Sequence, residues 1–227
     1  MLIKTATNTD DFLIRMVKGC IQLSARPNIN NTVNMVPVDH VARVVIASGF
    51  HPACTPIGVA QVTGHPRLRF NQFLGALQLY GYDVPQVDYV PWALSLEQYV
   101  NDTNHDNPES QHALMPLYHF VTADLPSNTK APELDDIHAA AALRADAAWS
   151  GVDVSAGAGV TEELVGLYAS YLVAIGFLPR PTLSSSSGTS GDREGSDSAV
   201  SRPLPPAKLT KDQKMALLSV GGRGGTS

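Results

Sequence analysis

The sequence run Asn34–Val45 constrains the fold more than any other part of this 227-residue chain. It begins as an apolar stretch and continues through Asp39, which is well placed to cap a helix that extends to Ser48. A strand that leads into a helix in this way is typical of nucleotide-dependent α/β enzymes. No glycine-rich phosphate loop precedes the run, however, and no Tyr-x-x-x-Lys pair occurs in the chain. The sequence therefore predicts an α/β domain without a cofactor-binding half of its own.

The spacing of apolar residues predicts the other elements of this domain. The predicted strands are residues 33–38, 58–63 and 82–89, and the predicted helices begin near residues 9, 39, 70, 91, 112, 134 and 161. Thr7 or Thr9 is predicted to cap the first helix, and Gly19 and Pro27 to close that region. Because the strands are too few for a complete doubly wound sheet, the fold class is α/β with a partial sheet.

Composition excludes several classes of function. The net charge is −5 and the basic residues are scattered, which argues against nucleic acid and against a polybasic membrane contact. No apolar stretch approaches the ~18 residues of a membrane span. The first eight residues lack the charged lead and apolar core of a secretory signal. Cys20 and Cys54 each lie in an apolar setting, which predicts buried, reduced thiols and a cytoplasmic protein.

The composition changes abruptly at residue 182. Residues 184–198 are rich in serine and glycine and contain almost nothing to bury, which predicts disorder. Pro203–Pro206 stiffens the stretch that follows. We therefore predict one ordered unit, residues 1–181, and a low-complexity, mostly disordered tail, residues 182–227.

No motif assigns a catalytic, cofactor-binding or metal-ligating residue to this chain. The best imitation of a phosphate loop, Gly157–Gly159, is followed by Glu162 and Glu163, which place negative charge where a diphosphate would sit. Three histidines at seven-residue spacing, beginning at His105, do not match the i, i+3 or i, i+4 pairs of metal sites on helices. Adjacent residues on a helix point apart, so Asp39–His40 is not assigned as an acid–base dyad. Four aromatic residues are assigned to the core rather than to a binding site: Tyr80, Tyr82, Trp92 and Trp149.

Seven sequence blocks occur in an order that is specific to one family. They are Thr7–Leu13, Asn34–Val45, Val62–Arg67, Leu79–Val84, Thr129–Asp136, Trp149–Asp153 and Gly176–Pro181. Together they resemble the C-terminal reductase domain of fungal L-2-aminoadipate reductases. The resemblance is placed over residues 1–181, and the serine-rich tail carries no block of it.

The resemblance implies a fold and an activity for the intact protein. It implies a partial Rossmann-like fold of the extended short-chain dehydrogenase type, of which this chain is the substrate-binding C-terminal portion. The intact enzyme of lysine biosynthesis reduces a 2-aminoadipyl thioester, carried on phosphopantetheine, to the semialdehyde with NADPH. The tyrosine, lysine and glycine loop of that chemistry are absent from this sequence. The chain alone is therefore expected to be inactive and to bind neither cofactor tightly.

The same resemblance suggests which residues contact the acyl-phosphopantetheine substrate. If the first helix faces the cleft, Thr9, Asp10, Arg15 and Lys18 are candidate contacts, and Arg15 suits the substrate's α-carboxylate. The alternative is that Arg15 and Lys18 only complement the C-terminal end of their helix. Two further candidates lie at the end of the first strand, Asn34 and Met35.

Two other interpretations of the sequence stay open. In the first, the parent protein is a related carboxylic-acid or peptide-synthetase reductase. In the second, the chain is a non-catalytic interaction module. Without a cofactor half, the first two predicted strands lose neighbours and an apolar face is exposed, which predicts self-association through the sheet edge.

Overall fold

A computed structural model describes residues 8–52, 58–102, 111–130, 132–151, 159–182, 201–207, 209–211, 213 and 214. The helices are α1 (Phe12–Leu23), α2 (Val38–Phe50), α3 (Phe70–Leu79), α4 (Tyr89–Asp102), α5 (Tyr118–Asn128), α6 (Ile137–Ser150) and α7 (Glu162–Ala174), with a 3-10 turn at Met115–Leu117. The strands are β1 (Arg26–Pro27), β2 (Thr32–Val33), β3 (Leu68–Arg69) and β4 (Gln86–Val87). The chain divides into two compact units: unit one holds residues 1–28, 74–124 and 162–227, and unit two holds residues 29–73 and 125–161.

Helix α1 of unit one begins and ends differently from the sequence prediction. Its N-cap is Asp11, whose Oδ1 accepts hydrogen bonds from the backbone N–H groups of Leu13 and Ile14 at 2.9 and 3.3 Å. Ser24, in the left-handed region at φ 49°, ends the helix. Gly19 therefore lies inside α1 rather than at its end. A side chain there would overlap the buried side chain of Leu114, so packing explains this glycine.

Unit one is built on a parallel pair of very short strands. In β1 and β4, Arg26 pairs with Gln86 and Pro27 with Val87, so only two residues of the strand predicted over 82–89 form a ladder. The indole N–H of Trp92 donates to the Ala25 carbonyl at 3.2 Å and ties α4 to the approach to β1. The largest fully buried side chains of this unit are Met16, Leu74, Leu77, Val84, Trp92, Leu96, Leu114, Val121 and Leu172.

Unit two packs α2 against α6 beside one short antiparallel pair. In that pair Thr32 lies opposite Arg69, and Val33 opposite Leu68. The buried helix contact is made by Val44, Ala47, Ala139, Ala142 and Leu143, with Ala60 and Val62 against it. Three of the five helix residues are alanines, which let the helix backbones approach closely.

The strands predicted over 33–38 and 58–63 are corrected by the structure. Only Thr32–Val33 forms a ladder in the first region, and residues 58–63 form none with the described residues. A strand requires a hydrogen-bonded neighbour, and this chain supplies few. The predicted cap of α2 is also wrong. The helix begins at Val38 after Pro37, and Asp39 lies in its first turn with its Oδ1 3.2 Å from the backbone N of His40.

Part of the predicted tail packs on unit one. The hydroxyl of Ser170 donates to the Pro205 carbonyl at 2.5 Å, and the backbone N–H of Arg202 donates to the Leu79 carbonyl at 2.6 Å. The Arg202 guanidinium lies 3.4 Å from Glu162 and 3.9 Å from Glu163. Residues 183–200, where disorder is predicted, lie outside the described residues, as do Cys54, His105 and the first residues of Gly157–Gly159. Among the described helices, none has the length and apolar character needed to cross a membrane.

Candidate functional site

Three of the four candidate contacts on and before α1 are engaged within unit one. The Arg15 guanidinium lies 2.5 Å from Asp10 Oδ1 and donates to the Ala113 carbonyl at 3.0 Å. The Lys18 ammonium lies 4.5 Å from the centre of the Phe177 ring, a cation–π contact. Thr9 is half-buried just before the helix. The alternative interpretation, that Arg15 and Lys18 only complement the C-terminal end of their helix, is wrong. Helix α1 continues to Leu23, and its last turn holds no basic residue.

Asn34 and Met35 lie in unit two, directly after β2. They line a small cavity of about 90 Å³ together with Thr63, Arg67 and Glu133, among others. The Arg67 guanidinium lies 3.2 Å from Glu133 and donates to the Leu134 carbonyl at 2.9 Å. Asn34 is exposed and Met35 is half-buried, so both side chains remain accessible in this unit.

A larger cavity of about 380 Å³ lies next to it in the same unit. We call it the His40 cavity. It is lined by His40, Val44, Val62, Thr63, His65, Asp136, Ala139, Ala140, Leu143 and Arg144. Val62 and Thr63 line both cavities, which makes the two neighbours. One wall is aliphatic, and the remainder carries hydroxyl, imidazole, carboxylate and guanidinium groups.

Asp136 organises the polar part of this cavity. Its Oδ2 accepts hydrogen bonds from the Thr63 hydroxyl and from His65 Nε2. Asp136 directly precedes α6 but does not cap it. Asp135 does so instead, through an Oδ1 that lies 3.0 Å from the backbone N of Ile137. Burial raises the pKa of Asp136, but the hydrogen bonds from Thr63 and His65 outweigh it and hold that pKa below its ordinary value.

His40 is a buried, neutral imidazole beside this cluster. It is only 5% exposed, and its Nδ1 has no hydrogen-bond partner among the described residues. Burial lowers the pKa of His40, and the nearby charges of Arg43 and His65 lower it further. His40 therefore adds polarity to the cavity without adding charge.

The loop that carries His65 is fixed by a glycine. A side chain at Gly159 would overlap the backbone carbonyl of His65. Only a residue without a Cβ permits this approach of the two backbones. The glycine that imitates a phosphate loop in the sequence is thus a packing residue of unit two.

Sequence reasoning did not identify Thr63, His65 and Asp136 as a cluster. His65 and Asp136 are separated by 71 positions, so no spacing pattern connects them. The one available signal was the resemblance itself, because both residues lie in its blocks. Three of the four aromatic residues assigned to the core are buried, namely Tyr80, Tyr82 and Trp92. The assignment of Trp149 is wrong, since this side chain is 85% exposed at the end of α6.

Comparison with known proteins identifies the relatives of this chain. A NAD-binding family described as male sterility protein matches residues 3–45. The L-2-aminoadipate reductase large subunit of Penicillium chrysogenum is 74% identical over 97% of this chain, which corresponds to 15% of the relative. The L-2-aminoadipate reductases of Schizosaccharomyces pombe and Saccharomyces cerevisiae are 55% and 48% identical over 97% and 98% of this chain, and 14% and 15% of their own lengths.

The chain is homologous to a segment of the fungal L-2-aminoadipate reductases. The resemblance seen in the sequence is thereby confirmed, and the chain spans about 15% of the length of its relatives. Because the match covers 97% of this chain, it extends well beyond residue 181. The placement of the resemblance over residues 1–181 is therefore corrected.

A solved structure supports the fold class. The terminal R domain from the myxalamid PKS-NRPS biosynthetic pathway superposes with a TM-score of 0.55 at 22% identity. The match covers 78% of this chain and 42% of that domain. At this identity the likeness shows the fold alone. It confirms an α/β fold that corresponds to part of the fold of that domain.

Proposed function

We propose that this chain is the substrate-binding, C-terminal portion of a thioester reductase domain of the aminoadipate reductase type. The observation that carries the proposal is 74% identity to the Penicillium large subunit over nearly the whole chain. In the longer protein, NADPH supplies the hydride that reduces a carrier-bound 2-aminoadipyl thioester to the semialdehyde. The thiol of the phosphopantetheine arm is the leaving group. Such a biosynthetic enzyme is expected in the cytoplasm.

The described residues do not fit a dinucleotide. The N-terminus of α7, the position that imitates a phosphate site, carries Glu162 and Glu163, and both lie near Arg202. Gly159, just before this helix, packs against the His65 carbonyl rather than opening a loop for phosphate. A diphosphate bound here would be repelled by the two carboxylates. Cofactor binding is therefore assigned to parts of the longer protein outside this sequence.

The proposed role of this chain is to hold the acyl substrate. Asn34 and Met35 are the favoured contacts, because they line an accessible cavity of unit two beside the His40 cavity. Thr9, Asp10, Arg15 and Lys18 remain candidate contacts to the carrier arm. For Arg15 that role requires the ion pair with Asp10 to open.

One face of α2 supports the view that the longer protein completes this unit. Val38, Val45, Ile46 and Phe50 are 79%, 64%, 58% and 78% exposed. Four large apolar side chains on one short helix are unusual for a free surface. We propose that the cofactor-binding part of the longer protein covers this face. In its absence, a second copy of the chain covers it, which leads to self-association.

A chimera tests the proposed function. This chain replaces the corresponding segment of the Penicillium large subunit, and NADPH oxidation is followed with a 2-aminoadipyl thioester of phosphopantetheine. The chimera is expected to retain activity within about tenfold of the parent, and the 227-residue chain alone to show none. A folded chimera without activity, or turnover by the isolated chain that a substitution in it abolishes, contradicts the proposal.

A further inference from the structure

We infer that the His40 cavity binds the α-amino acid head group of the acyl substrate, with Asp136 holding the ammonium and Arg144 the carboxylate. This inference rests on the proposed function and names the residues that would bind the charged groups of the substrate. The carboxylate is assigned to Arg144 of unit two rather than to Arg15, because the Arg15 guanidinium is engaged in unit one.

The cavity presents one face of α6 and the residue before it. Asp136, Ala139, Ala140, Leu143 and Arg144 all line it, at positions i, i+3, i+4, i+7 and i+8. A carboxylate stands at one end of this row and a guanidinium at the other, with apolar side chains between them. Eight residues of helix span about 12 Å, and long side chains lean toward the helix N-terminus, which brings the guanidinium nearer to Asp136.

Arg144 is available for an anionic ligand. Among the described residues, no carboxylate lies within ion-pair distance of its guanidinium. The arginines that do have such partners are Arg15, Arg67 and Arg202. A guanidinium fork matches the two oxygens of an α-carboxylate, so Arg144 provides a geometric as well as an electrostatic match.

Asp136 is positioned to receive the ammonium. The donors Thr63 and His65 approach one of its two oxygens, and a carboxylate offers about four lone-pair sites, so a further donor can be accepted. Its side chain is 23% exposed, so it is accessible yet partly shielded from water. His40, which is neutral, does not compete with the ammonium for this carboxylate.

The aliphatic wall suits the remainder of the acyl group. Val44, Val62 and Leu143 face a space that methylene groups can fill. The ammonium and the carboxylate of an α-amino acid share one carbon, so Asp136 and Arg144 converge on that carbon and the aliphatic wall takes the methylene chain. Adipate, which has the same carbon chain but no ammonium, leaves Asp136 unsatisfied.

Substrate discrimination in the chimera described above tests this inference. The quantity measured is the ratio of kcat/KM for the 2-aminoadipyl thioester to kcat/KM for the adipyl thioester. Asp136→Asn is expected to lower this ratio roughly 10-fold or more, the loss of one charge-assisted hydrogen bond. Arg144→Gln is expected to lower kcat/KM for both thioesters by a similar factor and to leave the ratio unchanged, because both acyl groups carry the carboxylate that Arg144 binds. The matched control Asp146→Asn, on the same helix but outside the cavity lining, is expected to leave both rates unchanged.

A binding measurement on the 227-residue chain gives a second readout that does not depend on turnover. Calorimetric titration with free L-2-aminoadipate is compared with titration by adipate. Tighter binding of the amino acid, lost in Asp136→Asn, supports the inference, and Arg144→Gln is expected to weaken the binding of both ligands. Equal affinity for the two ligands overturns it.

The outcomes separate this inference from the proposed function. An active chimera in which Asp136→Asn leaves the ratio unchanged, or Arg144→Gln leaves both kcat/KM values unchanged, overturns the head-group assignment and leaves the proposed function standing. An inactive but folded chimera overturns the proposed function, and the assignment that rests on it falls as well. If Asp136→Asn fails to fold, the loss of kcat/KM for both thioesters in Arg144→Gln decides alone, because that side chain is exposed and bears no ion pair among the described residues.

Discussion

His65 and Asp136 are 71 residues apart in sequence, and His65 Nε2 donates a hydrogen bond to Asp136 Oδ2. This contact joins the loop after Val62 to the start of α6, and both residues line the same cavity. The polar cluster of unit two therefore depends on a contact between two distant segments. Its stability and its ligand binding are expected to respond together when either segment is disturbed.

The pH dependence of stability tests the Asp136 cluster. The pKa of Asp136 in the folded chain is below the ordinary value of 3.8, so its ionised form favours folding. This contribution is fully present above that value and is lost as the pH falls through the lower folded-state pKa. Asp136→Asn is expected to cost about 1–2 kcal/mol at pH 7 and progressively less in strong acid. Urea unfolding between pH 2 and 7 measures this, and a constant difference across that range contradicts the account.

Protonation of His112 in unit one is expected to lower the stability of the chain in a higher pH range than protonation of Asp136. It is 3% exposed, and burial lowers its pKa to about 4, against the opposing effect of the Gly19 carbonyl. Its Nδ1 accepts from the Leu114 backbone N–H at 3.2 Å, which a proton on that atom would prevent. Folding therefore favours the neutral ring, and its contribution is fully present above about pH 6.5 and lost toward pH 4.

The expected loss for this histidine is roughly 3 kcal/mol between those pH values. Thermal unfolding of the wild type and of His112→Gln measures it. The variant is expected to be less stable at pH 7 but to lose far less stability on acidification. Parallel pH profiles for the two proteins would rule out His112 as the titrating group.

A pair of glycine substitutions tests the close approach of Gly159 to the backbone carbonyl of His65. Gly159→Ala places a Cβ against the His65 carbonyl and is expected to destabilise the chain by about 1–3 kcal/mol. The control Gly49→Ala lies in α2 with no atom within 4 Å of the new Cβ. It is expected to stabilise the chain by about 0.5–1 kcal/mol through helix propensity. Chemical denaturation of both variants measures the difference, and equal effects contradict the packing role of Gly159.

Serine substitutions test the attachment of residues 201–207 to α7. Ser170→Ala removes the donor to the Pro205 carbonyl and is expected to cost about 1 kcal/mol. It is also expected to accelerate proteolysis within residues 201–207. Ser95→Ala serves as the control, because Ser95 also donates to a proline carbonyl, that of Pro91, but in an exposed position of α4. If both variants are cleaved at the wild-type rate, this segment is not held by Ser170.

The exposed face of α2 predicts the association behaviour of the isolated chain. The wild type is expected to self-associate in sedimentation velocity experiments, since apolar surface on this helix is uncovered. Ile46→Lys combined with Phe50→Lys is expected to shift the chain toward monomer. Trp149→Lys, at an equally exposed position outside α2, is expected to leave the distribution unchanged. A wild-type chain that is monomeric at all concentrations contradicts this prediction.

The sequence predicted helices better than strands, for a physical reason. The helices predicted to begin near residues 70 and 161 are α3 and α7, because a helix satisfies its backbone hydrogen bonds within itself. Residues 58–63 have a strand-like pattern, but no described segment pairs with them. Pairing depends on a hydrogen-bonded neighbour, which none of the described segments provides.

The site was less accessible to sequence reasoning than the fold. Asn34 and Met35 were selected because they lie at an end of the first predicted strand, and they do line a cavity. Asp136 was not selected, because the helix that contains it is predicted to begin near residue 134 and no sequence spacing connects it to His65. In the structure α6 begins at Ile137, and Asp135 provides the side-chain cap. Only the tertiary contact with His65 shows that Asp136 faces a cavity.

The most direct test of the central claim is complementation in trans. The Penicillium large subunit is truncated so that it lacks the segment homologous to this chain, and NADPH oxidation with a 2-aminoadipyl thioester is measured with and without the added 227-residue chain. We predict that neither component reduces the thioester alone and that the mixture does, with the semialdehyde as product. Full activity of the truncated subunit without the chain, or of the chain without the subunit, would contradict the assignment of this chain to the substrate side of the reductase.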